Sequence, residues 1–307
     1  MKIYLTGASG MVGRNILESG IQQKHEVYSP RHSEVDLLDI ASVKKSLQQL
    51  KPDLIIHCAG VVGGIQANMS QPLRFFIENL DMGKNLVAAA KELEIKKFLN
   101  MSSSCMYPKD KNTPLLESDI LSGYLEPTNE GYALAKVAVT KMCSYITKQQ
   151  PEYLYRTLIP CNLFGKYDKF DLAHGHMVPA VIRKIHEAVQ NDSPTVEIWG
   201  DGKARREFLY TEDVADFVLF AIDKLAELPE MINVGLGHDY TILEYYQEIA
   251  KVVGFKGEFT FNLDKPIGMK RKLVDVSLAT KLGWKSKTNL HEGLKKTYAY
   301  YLSTLNK

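Results

Sequence analysis

The sequence lacks the cysteine patterns that stabilise small secreted proteins or hold structural metals. Its four cysteines, spread over 307 residues, form no CxxC pair and have no His-rich partner motif. This argues against disulfides and against a zinc site. The start of the chain also lacks the charged and apolar regions of a signal peptide. We therefore expect reduced thiols, no metal and a cytoplasmic location.

Long apolar runs and an excess of one charge are missing too. No run approaches the ~20 apolar residues that span a bilayer, and Phe217–Ile222 is among the longest. The formal net charge is only +2, which favours neither nucleic acid nor a membrane surface as a partner. Without repeats or low-complexity segments, a chain of this length is expected to form one large domain or two modest ones.

A glycine-rich segment follows the first predicted strand. Lys2–Thr6 is short and apolar, Gly7–Gly13 reads GxxGxxG, and a helical segment runs to about Gln23. In this context the glycines allow a tight turn and a close approach of a dinucleotide pyrophosphate, which lies at the helix N-terminus. The segment predicts a dinucleotide-binding loop, the alternative being a glycine-rich turn without a ligand.

The turn after the second predicted strand, His25–Ser29, indicates which dinucleotide binds. An acidic residue there would hold the ribose 2′-hydroxyl of NAD. Instead, Arg31 and a protonated His32 would pair with a 2′-phosphate, and we expect no carboxylate in this turn to repel it. We predict NADP(H), with Asp36 and Leu37 beside the adenine. The alternative is a solvated basic turn.

Strands and helices alternate through the first half of the chain. The later predicted strands are Asp53–Ala59, Lys97–Ser102 and Tyr153–Leu163, and a long helix covers Pro72–Leu93. This alternation predicts an α/β fold with a doubly wound parallel sheet of the Rossmann type. Ligands of such sheets bind at the carboxyl ends of the strands.

A predicted helix over Glu130–Lys148 carries a Tyr-x-x-x-Lys motif. The spacing of four places Tyr132 and Lys136 on one helix face, one turn apart. A phenol has an ordinary pKa of about 10, and we expect the nearby ammonium to favour the phenolate. The other match, Tyr107–Lys111, contains Pro108 and falls in a predicted loop, where no shared face is required.

Three segments are expected to meet at the ligand edge of the sheet. They are the first glycine loop, a second glycine loop at Gly60–Gly64, and Ser102–Cys105 directly after the fourth strand. If the NADP(H) reduces a substrate carbonyl, Ser103 would hydrogen-bond that carbonyl next to Tyr132. The alternative is a serine that caps the next turn.

The composition shifts after Gly165, where a polar, aperiodic stretch interrupts the alternation. We predict an NADP(H)-binding domain of residues 1–165 to which 207–236 return. A smaller C-terminal α/β substrate domain would comprise 166–206 and 237–307. The predicted elements of this half are helices at Met177–Val189, from Thr241 on and at Leu290–Leu302, an amphipathic segment at Glu212–Glu227, strands at Thr195–Trp199, Glu207–Tyr210, Ile232–Gly235 and Lys272–Val276, and a hairpin-like segment near Phe259–Phe261.

The glycine loop, the serine after the fourth strand and Tyr132-x-x-x-Lys136 resemble the extended short-chain dehydrogenase/reductases. More narrowly, the chain resembles the GDP-L-fucose synthase family, NADPH-dependent 3,5-epimerase/4-reductases of GDP-4-keto-6-deoxymannose. The segments of closer likeness span nearly the whole chain: Val62–Ile65, Ser103–Pro108, Glu126–Glu130, Asn162–Gly165, His176–Pro179, His186–Ala188, Val196–Gly200, Arg206–Leu209, Ile232–Gly235 and Arg271–Asp275.

The resemblance implies roles for the catalytic residues. Tyr132 would donate a proton to the C4 oxygen with Ser103 as its partner, and Lys136 would bind the nicotinamide ribose. Cys105 and His176 match the pair that moves protons at C3 and C5. Taken alone, the cysteine reads as a small buried hydrophobe and the histidine as a polar loop residue.

The resemblance also implies the binding residues. Lys184, Trp199, Arg206 and Lys272 would hold the GDP-sugar, the alternative being surface charge and a core tryptophan. The cofactor residues would be Gly7, Ser9, Gly10, Met11, Val12, Gly13, Arg31, His32, Asp36, Leu37, Ala59, Gly60, Lys136, Pro160, Asn162, Leu163 and His176.

The chain departs from the family pattern in three places. Lys265–Lys270 lacks an expected acidic residue, Ser9 stands where a basic residue is expected, and Tyr210–Thr211 replaces a more usual His-Val. These differences leave the nucleotide and the sugar open, so that a heptose could be the substrate.

Four functions remain open from the sequence. They are 4-reduction of a GDP-linked 4-keto-6-deoxy sugar with 3,5-epimerisation, 4-reduction alone, a redox-neutral NAD-dependent epimerase or dehydratase, and an NADP-binding regulatory protein. By analogy with the wider family we expect a homodimer through the helix of Tyr132.

Overall fold

The computed structural model describes residues 1–111, 114–172, 175–265 and 269–305. Its strands are β1 (Lys2–Thr6), β2 (Glu26–Tyr28), β3 (Leu54–His57), β4 (Lys97–Met101), β5 (Leu154–Pro160), β6 (Asn162–Phe164), β7 (Thr195–Trp199), β8 (Arg205–Arg206), β9 (Phe208–Tyr210), β10 (Met231–Val234), β11 (Tyr240–Thr241), β12 (Glu258–Asn262) and β13 (Arg271–Lys272).

The α-helices lie between and after these strands. They are α1 (Met11–Glu18), α2 (Ile40–Leu50), α3 (Ile65–Ser70), α4 (Pro72–Glu92), α5 (Glu130–Gln149), α6 (Met177–Gln190), α7 (Thr211–Asp223), α8 (Ile242–Val253), α9 (Ser277–Lys281) and α10 (Leu290–Leu305).

Six parallel strands form the central sheet in the order β10-β5-β4-β3-β1-β2. The doubly wound parallel sheet predicted from the sequence is confirmed. After β2 the chain crosses over β1 to form β3 on its other side. The loops that follow β1 and β3 therefore diverge and leave a crevice, which is where such sheets bind ligands.

Both faces of the sheet are covered, which is why its inner strands are buried and mostly apolar. Ile3 and Leu5 pack in one cluster with residues of α1, α7 and α9, whereas Tyr4 packs in another with α2, α4 and α5. This alternation is the period of two expected of a strand. A third cluster joins β7 and β9 to α6, α8 and α10.

Two predicted strand arrangements are wrong. The segment near Phe259–Phe261 is no hairpin, because β12 pairs in parallel with β7, and α8 lies between the two strands in the sequence. The predicted fifth strand is two strands. After Pro160, which has no N–H to extend the ladder, the chain changes partners and Asn162–Phe164 pairs with β9.

Candidate active site

A cleft of about 1400 Å³ opens at the carboxyl ends of the central strands. Its walls are the two glycine loops, the turn after β2, the end of β4, the first turns of α5 and the end of β5. Residues from beyond the central sheet close it: His176, Arg206, Met269 and Lys272.

The first glycine loop packs against its neighbours only because Gly7 and Gly13 have no side chains. Gly7 has a φ of +73°, and a Cβ there would lie 2.5 Å from the backbone nitrogen of Ala59. A Cβ on Gly13 would lie 2.3 Å from the Gly7 carbonyl oxygen. No side chain caps the N-terminus of α1, whose first residues line the cleft. The loop fits a dinucleotide pyrophosphate, which the helix N-terminus would stabilise.

Two buried asparagines of α4 hold the backbone beside this loop. Asn79 accepts a hydrogen bond from the Val61 N–H (3.0 Å) and donates to its carbonyl (3.0 Å), fixing the second glycine loop. Asn85 donates to the carbonyls of Leu37 and Leu38, each at 3.0 Å, and so fixes the predicted adenine segment. Sequence reasoning missed both residues; their signal was polar amides within an otherwise apolar helix face.

Arg31 and His32, the residues predicted to bind a 2′-phosphate, are exposed and line the cleft. The expectation of a turn without a carboxylate needs correction. Glu34 accepts a hydrogen bond from the Arg31 backbone N–H at 2.7 Å. Glu34 is not a lining residue of the cleft, so it caps the turn while the two basic side chains remain available.

The α5 helix places Tyr132 and Lys136 in the cleft, as predicted. Lys136 Nζ lies 5.7 Å from the Tyr132 ring centroid and donates to the Met101 carbonyl at 3.0 Å. Ser103 follows β4 and hydrogen-bonds the Tyr132 phenol. Its hydroxyl also accepts the Cys105 N–H at 3.2 Å. The serine, tyrosine and lysine therefore form one group.

The expectation that Lys136 favours the phenolate of Tyr132 is wrong, because the pKa of Tyr132 is raised. Burial and the nearby Cys105 raise the pKa of Tyr132, and the hydrogen bond from Ser103 opposes them. Burial also lowers the pKa of Lys136 to about 8. Because desolvation disfavours the charged form of each group, Tyr132 is a neutral phenol that can donate a proton.

Cys105 lies beside this group at the end of the Ser102–Cys105 segment. The Asn129 amide donates to its sulfur at 3.2 Å, and Lys272 Nζ lies 3.7 Å from the same sulfur. His176 precedes α6 at the mouth of the cleft. His176 keeps an exposed surface, but the protein atoms packed around its ring, together with Lys169 and Lys272, lower its pKa. Its imidazole is therefore neutral near pH 7 and can accept a proton.

Every residue predicted to bind the cofactor lines the cleft, as do Ser103, Cys105, Arg206 and Lys272. Two predicted substrate residues are not lining residues of it. Lys184 on α6 donates to the Glu197 carbonyl at 2.5 Å, and burial lowers its pKa. Trp199 ends β7 with 42% of its surface exposed, and Lys265 Nζ lies 5.5 Å from its ring centroid.

Within the described part of the chain, no cluster of three His, Cys, Asp or Glu side chains could hold a metal ion. The same residues include no helix with the length and apolar character needed to cross a membrane.

The doubly wound sheet, the GxxGxxG loop at its crevice and the Ser–Tyr–Lys group on the same edge are the features of a short-chain dehydrogenase/reductase. Residues 3–235 match the family model described as the NAD dependent epimerase/dehydratase family, and the chain belongs to that family. The predicted membership of the extended short-chain dehydrogenase/reductases is thereby confirmed.

Individual relatives match over their full length. The chain is 52% identical over 306 residues to GDP-L-colitose synthase of Yersinia pseudotuberculosis, covering 100% of this chain and 99% of that protein. It is 44% identical over 302 residues to GDP-L-fucose synthase of Azorhizobium caulinodans, covering 98% and 96%. The structure of MlghC, a GDP-mannoheptose C4 reductase from Campylobacter jejuni with NADP bound, superposes with a TM-score of 0.89 at 31% identity, covering 98% of each chain. The predicted assignment to enzymes of the epimerase/reductase type is confirmed.

Proposed function

We propose that this protein reduces C4 of a GDP-linked 4-keto-6-deoxy sugar with NADPH and also epimerises C3 and C5. The observation that carries the proposal is one cleft containing both the Ser103–Tyr132–Lys136 group and the Cys105–His176 pair. Similarity to a GDP-L-fucose synthase and to a GDP-L-colitose synthase supports the same substrate class.

In the reduction, the cofactor supplies a hydride when bound, and the protein supplies the proton. The Tyr132 phenol donates to the C4 oxygen while Ser103 hydrogen-bonds the same oxygen. Lys136 holds the nicotinamide ribose and stabilises negative charge on Tyr132 after proton transfer. Arg31 and His32 pair with the 2′-phosphate of NADP(H). The NADP-bound C4 reductase among the similar structures supports this cofactor.

The epimerisation uses the acidity of hydrogens beside a ketone. C3 and C5 both flank the C4 carbonyl, so removal of either proton gives an enolate that Tyr132 and Ser103 stabilise at the oxygen. Cys105 and His176 remove and return protons on opposite faces of the ring. The donors of Asn129 and Lys272, aimed at the Cys105 sulfur, stabilise negative charge there.

The substrate extends from this group toward the later part of the chain. Arg206 and Lys272 pair with the diphosphate, and the exposed ring of Trp199 stacks on the guanine, with Lys184 nearby on α6. In this arrangement residues 1–165 and 207–236 hold the cofactor, while 166–206 and 237–307 hold the nucleotide sugar.

A second candidate substrate is the 3-deoxy analogue of the same sugar. It is favoured by the greater identity to the GDP-L-colitose synthase, 52%, than to the GDP-L-fucose synthase of Azorhizobium, 44%. Colitose is fucose without its 3-hydroxyl. With this substrate C3 carries no stereocentre, so only inversion at C5 would precede reduction.

The test supplies the purified protein with NADPH and either 4-keto sugar in deuterated water. NADPH oxidation with deuterium at C3 and C5 of an inverted 6-deoxy product, or at C5 of an inverted 3,6-dideoxy product, supports the epimerase-reductase. Oxidation without deuterium leaves a C4 reductase, and turnover of a heptose substrate alone moves the proposal to that sugar class. Tightly bound NAD that is regenerated in each cycle would identify a redox-neutral enzyme. Absence of any turnover would leave the NADP-binding regulatory protein.

We also propose a homodimer and a cytoplasmic location. Apolar side chains are exposed on α4 and α5, two helices that pack side by side. Pairing these helices with those of a second copy would bury them in a four-helix interface. All four cysteines are free thiols, which suits a reducing compartment.

A further inference from the structure

Three strands of two residues each form a small sheet beside the cleft. In its centre β8 pairs with β13, so that Arg205 lies opposite Arg271 and Arg206 opposite Lys272. Successive side chains of a strand point to opposite faces. Arg206 and Lys272 accordingly line the cleft, whereas Arg205 and Arg271 lie on the outer face of the sheet.

A buried carboxylate bridges the two outer arginines. Asp239 Oδ1 accepts from Arg205 Nε at 2.9 Å, and Oδ2 accepts from Arg271 Nε at 2.5 Å. The Asp239 carbonyl also accepts from Arg205 Nη2 at 2.7 Å, and the Asp239 side chain is only 3% exposed. Burial raises the pKa of Asp239, but the two guanidinium groups more than offset it, leaving the pKa below its usual range.

Backbone hydrogen bonds and one other carboxylate also hold these strands: the buried Glu207, directly after β8, accepts from the Val274 N–H at 2.9 Å. Two hydrogen bonds join β8 to β13, from Arg205 N to Lys270 O (2.8 Å) and from Glu207 N to Lys272 O (3.1 Å). Without Asp239, two guanidinium groups would face each other on adjacent strands, where like charges are destabilising. Glu244, at 4.0 Å from Arg205 Nη1 and 49% exposed, offsets only part of this repulsion. The ion pairs therefore oppose a charge repulsion that would separate the strands.

We propose that Asp239 is a positioning residue that fixes the register of β8 and β13 and so presents Arg206 and Lys272 as a paired cationic site for a nucleoside diphosphate. This inference rests on the proposed function, because the substrate is taken to carry a diphosphate. A diphosphate spans both cations and requires their spacing, whereas a monophosphate contacts one of them. Asp239 itself contacts neither the diphosphate nor the monophosphate.

The first step of the test separates this inference from the proposed function. Wild-type protein is titrated calorimetrically with GDP, UDP and dTDP and with their monophosphates. Tightest binding of GDP supports the proposed substrate. Tightest binding of another diphosphate overturns the GDP assignment. That diphosphate is then the ligand with which the Asp239 variants are titrated. If no diphosphate binds better than its monophosphate, the paired cationic site is overturned.

The second step uses the best diphosphate as the probe. Asp239→Asn is expected to raise its Kd at least tenfold, the Kd of the matching monophosphate less than threefold, and the Kd of NADPH less than twofold. Asp213→Asn is the control, because Asp213 is a buried carboxylate that accepts from the Thr288 N–H and hydroxyl. It is expected to lower the Tm and leave all three constants unchanged.

The double variant Asp239→Asn/Arg205→Gln removes the repulsion together with the carboxylate. It should recover part of the lost diphosphate affinity, which a general loss of folding would not allow. Equal losses for monophosphate, diphosphate and NADPH would overturn the inference. If Asp239→Asn does not fold, Arg271→Gln is measured instead. Diphosphate affinity equal to wild type in that variant would overturn the inference, and a threefold or greater loss would support it.

Discussion

Tyr132 is the residue on which the proposed reduction depends. We expect Tyr132→Phe to lower kcat by about 10²–10⁴, the usual contribution of a positioned proton donor, while the Kd of NADPH stays within twofold. The measurement is the initial rate of NADPH oxidation with the 4-keto sugar at saturation, together with a fluorescence titration of NADPH.

Tyr107→Phe is the matched control for this substitution. Tyr107 begins the other Tyr-x-x-x-Lys match, is buried, and donates to Asn233 Oδ1 at 2.6 Å. Its phenol is structural, so the variant should lose about 1 kcal/mol of stability and keep its turnover. A turnover loss in Tyr107→Phe equal to that in Tyr132→Phe would contradict the assignment.

Lys136 makes the proposed activity sensitive to alkaline pH. Its pKa is lowered to about 8 by burial, so the ammonium is present below that pH and lost above it. We expect kcat/KM for NADPH to fall as the pH rises through about 8. In Lys136→Arg the cation persists to pH values above 12. That variant should start from a lower activity but show no fall near pH 8, and an unchanged midpoint would contradict the role of Lys136.

The candidate site could be predicted from the sequence where chemistry follows spacing. The i, i+4 spacing in a helix and the serine at a strand end bring Tyr132, Lys136 and Ser103 together. Their protonation could not be predicted in the same way, because burial depends on the surrounding packing. The same limit applies to Lys184 and Trp199, whose residue types suit a nucleotide but whose positions lie outside the lining of the cleft.

At the scale of elements, α4 supports the cofactor loops through Asn79 and Asn85. We expect Asn85→Ala to raise the Kd of NADPH about 5- to 30-fold, because two hydrogen bonds to the Leu37 and Leu38 carbonyls are lost, each typically worth about 1 kcal/mol. Lys84→Ala is the control on the same helix, since its ion pair with Asp81 is exposed. Equal NADPH affinity in the two variants would show that Asn85 of α4 does not support the cofactor loop.

Most elements of the central sheet could be predicted from the sequence, whereas strand partners outside it could not. Strands such as β1 and β5 and the helices α4 and α5 have enough residues to show a clear apolar pattern, although the helix α2 was missed. The strands β8, β11 and β13 have two residues each, which is too short for a pattern. Their pairing is made by segments that lie far apart in the sequence. The parallel pairing of β12 with β7 was missed for the same reason: the partner strand is distant in the sequence.

At the scale of the whole molecule, the adjacent helices α4 and α5 expose a surface suited to a second copy. Leu73 and Ile77 are one turn apart on α4 and are 71% and 43% exposed, and Leu134 on α5 is 41% exposed. Substitution of an exposed leucine on a monomer is ordinarily of little consequence. If these helices pair with those of a second copy, the same residues are buried in the interface and become essential for dimer formation. The oligomeric state is therefore the property to test.

We expect wild-type protein to sediment at about twice the 34.6 kDa of one chain, and Ile77→Glu to sediment as a monomer because a buried, unpaired carboxylate is costly. Leu263→Glu is the control, since Leu263 is 72% exposed in the turn after β12. It should leave the mass unchanged. A dimer that survives Ile77→Glu but dissociates on Leu263→Glu would place the interface on the substrate-binding side.

Because the cleft lies within one chain, the Ile77→Glu monomer should still bind NADPH within about threefold of wild type. That result would separate assembly from cofactor binding.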